Sequence, residues 1–367
     1  MALQVDVAIL GGGLHGLSCA LQLARQGAEV VVLERDWIGR HASTANAGGV
    51  RTLNRDRQEL DLGLAALTLW SSLPEMLDED CGFRPVGQVR IARTETDFAT
   101  EAARVQALQS DGYTHEEMIN ANDLKALLPQ LGPECAGASY ARNDGAADPH
   151  LTLRAFRRAA ERAGARMMEG VTVTQLSRHN TYWDLDGIVH APNIVVAAGA
   201  WSGSLARSLG DELPSRVRAS MMTVTERTSP FPGPVVGCVG AALSLKQTTA
   251  GTLVIGGGVQ GRADLNTGRS QVDFERLAIG LRLPLQLFPC LEHVRITRCW
   301  TGIEALTPDH LPVIGPSPRR EGVFYCYGFS GHGFELAPIT GFVLADLIAG
   351  HAPRWPLKAL CPSRFWK

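Results

Sequence analysis

A chain of 367 residues is too long for one ordinary core, so about two domains are expected. Its composition is that of a globular protein, 45% hydrophobic and 20% charged, and a net charge of −2 offers no field to recruit nucleic acid or an anionic membrane. The longest apolar runs, such as Ile194 to Ala198, fall far short of a membrane span, and eight scattered cysteines without a Cys-x-x-Cys pair argue against a disulfide framework or a metal site and fit a reducing cytoplasm.

In chain order, Val5 to Leu10 reads as an apolar strand that runs into Gly11-Gly12-Gly13-Leu14-His15-Gly16. Leu14, Leu17, Leu21 and Ala24 then follow at helical spacing, and Gly27 stands where a helix ends. Val30 to Leu33 is a second strand, closed by Glu34, which completes a βαβ unit. A polar, Gly-rich loop from Gly39 to Gly49 precedes a helix predicted over Gln58 to Leu77. Residues 84–140 mix short strands (Gly87 to Ala92) with helices (Glu101 to Ser110, Asn122 to Leu128), and Leu151 to Gly164 is an Arg-rich helix. Strands are expected at Val171 to Leu176 and Ile194 to Ala198, the latter ending in Ala198-Gly199-Ala200-Trp201. Ala219 to Ile255 alternates like an antiparallel sheet with a turn at Thr249-Ala250-Gly251, and Gly328 to Ala349 is a glycine turn followed by a helix.

The motif Gly11-x-Gly13-x-x-Gly16 follows a strand, opens a helix and meets an acid, Glu34, 18 positions after Gly16. Gly11 permits the tight turn, Gly13 lets backbone approach a pyrophosphate, and Gly16 allows close helix–strand packing. The pyrophosphate then sits on the positive helix N-terminus, and Glu34 accepts from a ribose hydroxyl. This unit alone does not distinguish NAD from FAD. The buried strand ending in Ala198-Gly199-Ala200-Trp201 adds a turn where backbone passes close to a nucleotide.

With these motifs in order, the chain resembles the D-amino-acid oxidase superfamily, in the branch of glycine oxidase, sarcosine oxidase and the sarcosine and dimethylglycine dehydrogenases. The resemblance is carried by Val7 to Glu34, Ala42 to Gly49, Asp144-Gly145, Asp148-Pro149, Val171-Thr172-Val173 and the Ala198 to Trp201 turn. It continues through Trp300-Thr301-Gly302, Thr307-Pro308-Asp309, Pro312 to Gly315 and Gly328 to Phe334. It implies a mixed α/β chain with FAD as cofactor. A Rossmann-like FAD-binding domain would draw on 1–83, 141–215 and 300–367. A substrate domain with a mixed, largely antiparallel sheet would draw on 84–140 and 216–299. The FAD contacts it implies are Gly11, Gly13, Leu14, His15, Gly16, Glu34, Arg35, Ser43, Thr44, Asn46, Ala47, Gly48 and Gly49 from the first part. From the rest come Val173, Ala198, Gly199, Trp201, Gly302, Gly328, Gly331, His332, Gly333 and Phe334.

In this family the flavin takes a hydride from the carbon beside a substrate amine, which needs positioning more than an acid or base, with the reacting atoms about 3–3.5 Å apart. Four departures from the family pattern bear on the chemistry. Gly302 and Asn46 stand where a cysteine or histidine links relatives covalently to the flavin, so dissociable FAD is expected, and Cys299 reads as a core thiol. Glu304 and Glu335 occupy positions where relatives carry an arginine and a lysine for the substrate carboxylate, which leaves Arg51 as carboxylate ligand or as a loop arginine. Glu304 is either a pocket acid or a solvated one. His332 either tunes the flavin or packs and hydrogen-bonds in its turn. Finally, Val254 falls near the place of an oxygen-activating lysine, with Lys246 as the one rival, which suggests a dehydrogenase.

The chain most resembles the smaller flavin subunits of the opine oxidases, D-hydroxyproline dehydrogenase and hydrogen cyanide synthase. That implies a small amino-acid or opine substrate; if Glu304 and Glu335 both line the pocket, the cost of burying two acids calls for a cation, such as the guanidinium of an opine whose carboxylate Arg51 holds. It also implies electron-accepting partner subunits that carry a second flavin or an iron–sulfur cluster. The other readings are a self-sufficient oxygen-using oxidase of glycine, sarcosine or a D-amino acid, and a flavin-binding subunit without catalysis.

Overall fold

The computed structural model describes residues 1–231 and 233–366. Its first layer is a six-stranded sheet in the order Val313–Pro316, Val323–Tyr327, Asn193–Val196, Val7–Leu10, Val30–Glu34, Arg166–Glu169, parallel except at the first pair. Every residue of Val7–Leu10 is buried, as a strand covered on both faces requires. Gly11 follows at φ +113°, where a Cβ would lie 2.5 Å from the Ala197 carbonyl oxygen, so only glycine lets the chain turn there. A Cβ on Gly16 would lie 2.1 Å from the Gly11 oxygen, and this close approach aims helix Leu14–Arg25 over the sheet.

That helix packs with Leu60–Leu77, Pro149–Arg162 and Gly333–Ile348 on one face of the sheet, around a core that includes Leu17, Leu21, Trp70, Phe156 and Leu344. The opposite face carries a second core with Leu185, Val189 and Tyr325, closed by a four-stranded sheet that includes Leu176–His179 and Tyr182–Leu185. Asp148 caps Pro149–Arg162, accepting from the His150 and Leu151 amides behind a proline at the first helical position.

The second layer is an eight-stranded sheet in which neighbours are antiparallel except where Val235–Cys238 runs parallel to Gln88–Ala92. This is the mixed, largely antiparallel sheet expected. Strand Ile296–Leu306 pairs with Arg216–Arg227 along its whole length, so a domain division at 299/300 would cut it. The strand expected at Val171 to Leu176 is displaced. Pairing with Val30–Glu34 is made by Arg166–Glu169, Gly170 breaks it at φ +73°, and 171–175 run on outside any strand. The helix expected from Glu101 begins at Glu95, set by a capping box between Thr94 and Asp97. Among the described residues no helix is long and apolar enough to cross a membrane.

Candidate active site

Between the two layers lies a cavity of about 680 Å³. At one end it is walled by Gly11, Gly13, Leu14 and Glu34. The Leu14 amide donates to Ser43 Oγ at 2.9 Å, which ties the loop after Gly39 to the helix N-terminus and leaves the Ser43 hydroxyl proton free for a ligand. Glu34 accepts from the Gly12 amide at 2.8 Å through Oε2 and from the Asp36 amide at 2.9 Å through Oε1. Each carboxylate oxygen keeps a lone pair for a further donor. Arg35 lies over the Trp201 ring at 4.2 Å, and Val173, Ala198 and Gly199 complete this end.

Further in, Asn46, Ala47, Gly48 and Gly49 line one wall and Gly302, Gly328, Gly331, His332, Gly333 and Phe334 another. A Cβ on Gly302 would sit 2.4 Å from that of Ala45, so this strand has no room for a side chain there. The Asn46 amide is spent on its own loop, donating to the Ala42 and Ser43 oxygens and accepting from the Gly48 amide. His15 also lines the cavity. Its ring stacks on Phe329 at 3.6 Å, Nδ1 lies 2.9 Å from Thr340 Oγ1, and burial lowers its pKa to about 3, so it is neutral. Backbone stripped to glycine, a helix N-terminus and an acid at the ribose position fit FAD. The Gly11 to Leu14 segment would hold the pyrophosphate, Glu34 the ribose, and the 46–49 and 331–334 segments the flavin.

Two expected contacts do not line the cavity. Gly16 serves packing, and the Thr44 hydroxyl donates to the Gly39 carbonyl at 2.6 Å.

The far wall is the inner face of the eight-stranded sheet, where strand alternation presents Gln88 and Arg90, then Arg218, Ser220 and Met222, and opposite them Gly302 and Glu304. Arg90 pairs with Glu101 at 2.9 Å and Arg218 with Glu304 at 2.9 Å, and the Ser220 hydroxyl donates to the same Glu304 oxygen at 2.5 Å. Arg51 differs. Its Nη1 donates to the Leu53 carbonyl at 3.0 Å, and no carboxylate among the described residues stands within ion-pair distance. Burial, with Arg55 nearby, lowers its pKa to about 9. Asp144 fixes the segment that carries it, accepting from the Thr52 amide and hydroxyl and the Leu53 amide at 2.6 to 2.9 Å.

The two acids therefore part company. Glu304 faces the cavity but is already neutralised. Glu335 does not line it at all: fully buried, it takes Arg55 Nε at 2.9 Å and Nη2 at 2.5 Å on Oε2. A guanidinium substrate held by both acids is thus not what this cavity offers. His332 lines the cavity, yet burial holds its pKa well below the usual range; Nε2 lies 3.1 Å from the His310 carbonyl oxygen, while Nδ1 approaches Glu59 at 3.3 Å without a hydrogen bond. The ring by itself is therefore held neutral and is not the group that gains charge near neutral pH. Cys299 is half-exposed on its strand rather than a core thiol.

Lys246 is the cross-strand partner of Val254, so the two side chains share a face. Its Nζ donates to the Gly48 and Ala147 oxygens at 3.3 Å each, one peptide behind the cavity wall, and burial lowers its pKa to about 8. Sequence reasoning named neither Arg90 nor Arg218. The available signal was a polar residue at alternate positions of an otherwise apolar strand.

Residues 6–347 match the family described as FAD dependent oxidoreductase. Similar proteins include a glycine oxidase from Bacillus licheniformis, 26% identical over 96% of this chain and 95% of that one. One of the subunits of an opine oxidase from Rhizobium meliloti is 27% identical over 99% and 98%. The beta subunit of a sarcosine oxidase from an Arthrobacter species is 29% identical over 94% and 87%. Among solved structures, the fold superposes on glycine oxidase from Geobacillus kaustophilus with a TM-score of 0.91, at 24% identity and 99% coverage of both chains. With the nucleotide cradle, the glycine-lined walls and a match spanning nearly the whole sequence, the chain belongs to the FAD-dependent oxidoreductase family and holds FAD without a covalent bond.

Proposed function

We propose that the chain oxidises the C–N bond of a small amino acid and passes the electrons directly to oxygen, with no need of a partner. The hydride acceptor is supplied by FAD when it is bound. Arg51 carries the reading, as a cavity-lining guanidinium without a carboxylate of its own, placed to take a substrate carboxylate bidentately. Glu304 Oε2, which has no donor among the described residues, is left to accept from the substrate amine. The full-length likeness to glycine oxidases supports a self-contained enzyme. We read the sheet with strand Ile296–Leu306 as the substrate-binding part and the six-stranded sheet with its helices as the FAD-binding part. Eight unpaired thiols support a reducing, cytoplasmic setting.

The test is anaerobic bleaching of the bound flavin by glycine, sarcosine, D-amino acids and an opine, followed by peroxide production in air. Bleaching by a small amino acid, with peroxide at one equivalent per turnover, is expected. Arg51→Ala should raise the Michaelis constant about ten- to a hundredfold, the worth of a charge-assisted hydrogen bond. No bleaching by any of these substrates would sink the reading.

The reading as catalytic subunit of a larger dehydrogenase draws on the relatives named as subunits. It is also supported by exposed Phe274 and Ile279 on one short helix, an apolar surface suited to a partner. Bleaching without peroxide would favour it.

A further inference from the structure

Behind the turn that opens helix Gly333–Ile348, His332 meets a buried acid outside the cavity wall. His332 Nδ1 lies 3.3 Å from Glu59 Oε1, and Nε2 lies 3.1 Å from the His310 carbonyl oxygen. A carbonyl only accepts, so Nε2 carries a hydrogen. The ring is neutral, so Nδ1 is bare. A bare ring nitrogen facing an ionised carboxylate would set two acceptors against each other. One proton on the carboxyl turns that clash into a hydrogen bond. Glu59 is 3% exposed, and neither its Oε2 nor His332 Nδ1 has a hydrogen-bond partner among the described residues. Glu335 nearby has Arg55 directly on its Oε2, whereas no guanidinium or ammonium among the described residues stands within ion-pair distance of Glu59, so a proton on Glu59 has His332 Nδ1 as its partner.

We propose that Glu59 and His332 share one buried proton site, and that its proton, lost as pH rises, is regained in step with negative charge on the flavin. His332 lines the cavity beside Gly331, Gly333 and Phe334, where the positive end of a helix faces the cofactor space. An ionised Glu59 brings negative charge to the base of that end and opposes the charge that two-electron reduction adds. Reduction therefore draws a proton onto the pair. The substrate C–H bond supplies both electrons as a hydride; the extra proton comes from solvent water. Glu59 acts through His332 and is a positioning residue.

The charges around the pair bear on its titration from every side. Burial and Asp56 raise Glu59, to about 7, while Arg55 and Arg51 on the preceding segment lower it. Around His332, Arg55, Arg51 and Arg218 each favour the neutral ring, and the His310 carbonyl favours the charged one. Glu335 contributes a neighbouring negative charge already matched by Arg55.

The experiment is the equilibrium for reducing the bound FAD, followed against pH from 6 to 9 in the FAD-loaded protein. One added proton per two electrons makes the wild-type equilibrium constant fall by up to an extra tenfold per pH unit above neutrality. Glu59→Gln, whose amide donates to Nδ1 with no proton to lose, should show no such excess. Identical slopes in the two proteins would overturn the proposal. Should Glu59→Gln fail to hold FAD, the nitrogen-15 signals of the wild-type ring decide, identified by their loss in His332→Asn. A proton on Nε2 and a pH-dependent Nδ1 shift near neutrality are expected. A proton on Nδ1, or shifts flat from pH 6 to 9, would overturn it.

Discussion

Arg218 donates through Nε to Glu304 Oε1 at 2.9 Å, between two residues that stand opposite each other in the sheet register. The acid that replaces a cationic family position is therefore matched by a cation from the next strand. Glu304→Gln removes the match and leaves Arg218 unpaired at the cavity wall. Affinity for anionic substrate analogues should rise severalfold, while turnover of a neutral-side-chain amino acid falls. Substrates that differ only by a distal guanidinium should be affected alike, as compared by their kcat/KM. A selective loss for the guanidinium substrate would restore the opine reading.

Gly302→Ala tests the shape of the flavin wall. Its Cβ would meet the Ala45 Cβ at 2.4 Å, so the strand or the 43–49 loop must shift. Affinity for FAD should drop by tenfold or more while the apoprotein keeps its fold, as read by flavin fluorescence and circular dichroism. Unchanged affinity would show that the loop moves freely.

Much of this was legible in the sequence because glycine reports backbone approach directly. Gly11 and Gly16 mark contacts that any side chain would break, and the βαβ unit follows from period and spacing alone. What stayed hidden was pairing across strands. Glu304 and Arg218 lie 86 positions apart, a separation that no local pattern bridges. Glu335 reads as a pocket residue because it follows a cavity-lining turn. The helix that begins at Gly333 instead rotates its side chain away from the cavity and onto Arg55. The slip at Val171 has a local cause: Gly170 ends the strand before the β-branched run that suggested it.

Lys246 bears on the reaction with oxygen. Its ammonium is held by the Gly48 and Ala147 carbonyls rather than by a carboxylate, so its charge is not cancelled and lies just behind the cavity wall. A cation there favours the negative charge that oxygen gains on reduction. Lys246→Met should slow reoxidation by oxygen about tenfold and leave reoxidation by a dye unchanged, in stopped-flow traces. Because the lysine pKa is lowered to about 8, the wild-type oxygen rate should decline as pH rises through that value. An oxygen rate indifferent to both changes would return the chain to the dehydrogenase reading.

Stability against pH follows from the same buried acid that faces His332. Burial raises the Glu59 pKa from 4.5 to about 7, so between those values the folded chain binds a proton that the unfolded chain has released. Stability therefore falls as pH rises through that window and levels off above it. The raised value corresponds to roughly 3 kcal/mol for this one group, at 1.36 kcal/mol per pKa unit. Glu335 is pushed up to about 7 by burial as well, even against the Arg55 contact, and contributes a share of similar size. FAD-loaded wild type should accordingly melt at a higher temperature at pH 5.5 than at pH 8. In Glu59→Gln, which cannot ionise, the difference should shrink by about half, whereas Glu335→Gln leaves Arg55 unpaired and should lower the melting temperature at every pH. Equal pH dependence in wild type and Glu59→Gln would mean that Glu59 is ionised throughout, with its charge matched by Arg55 and Arg51 rather than by a proton.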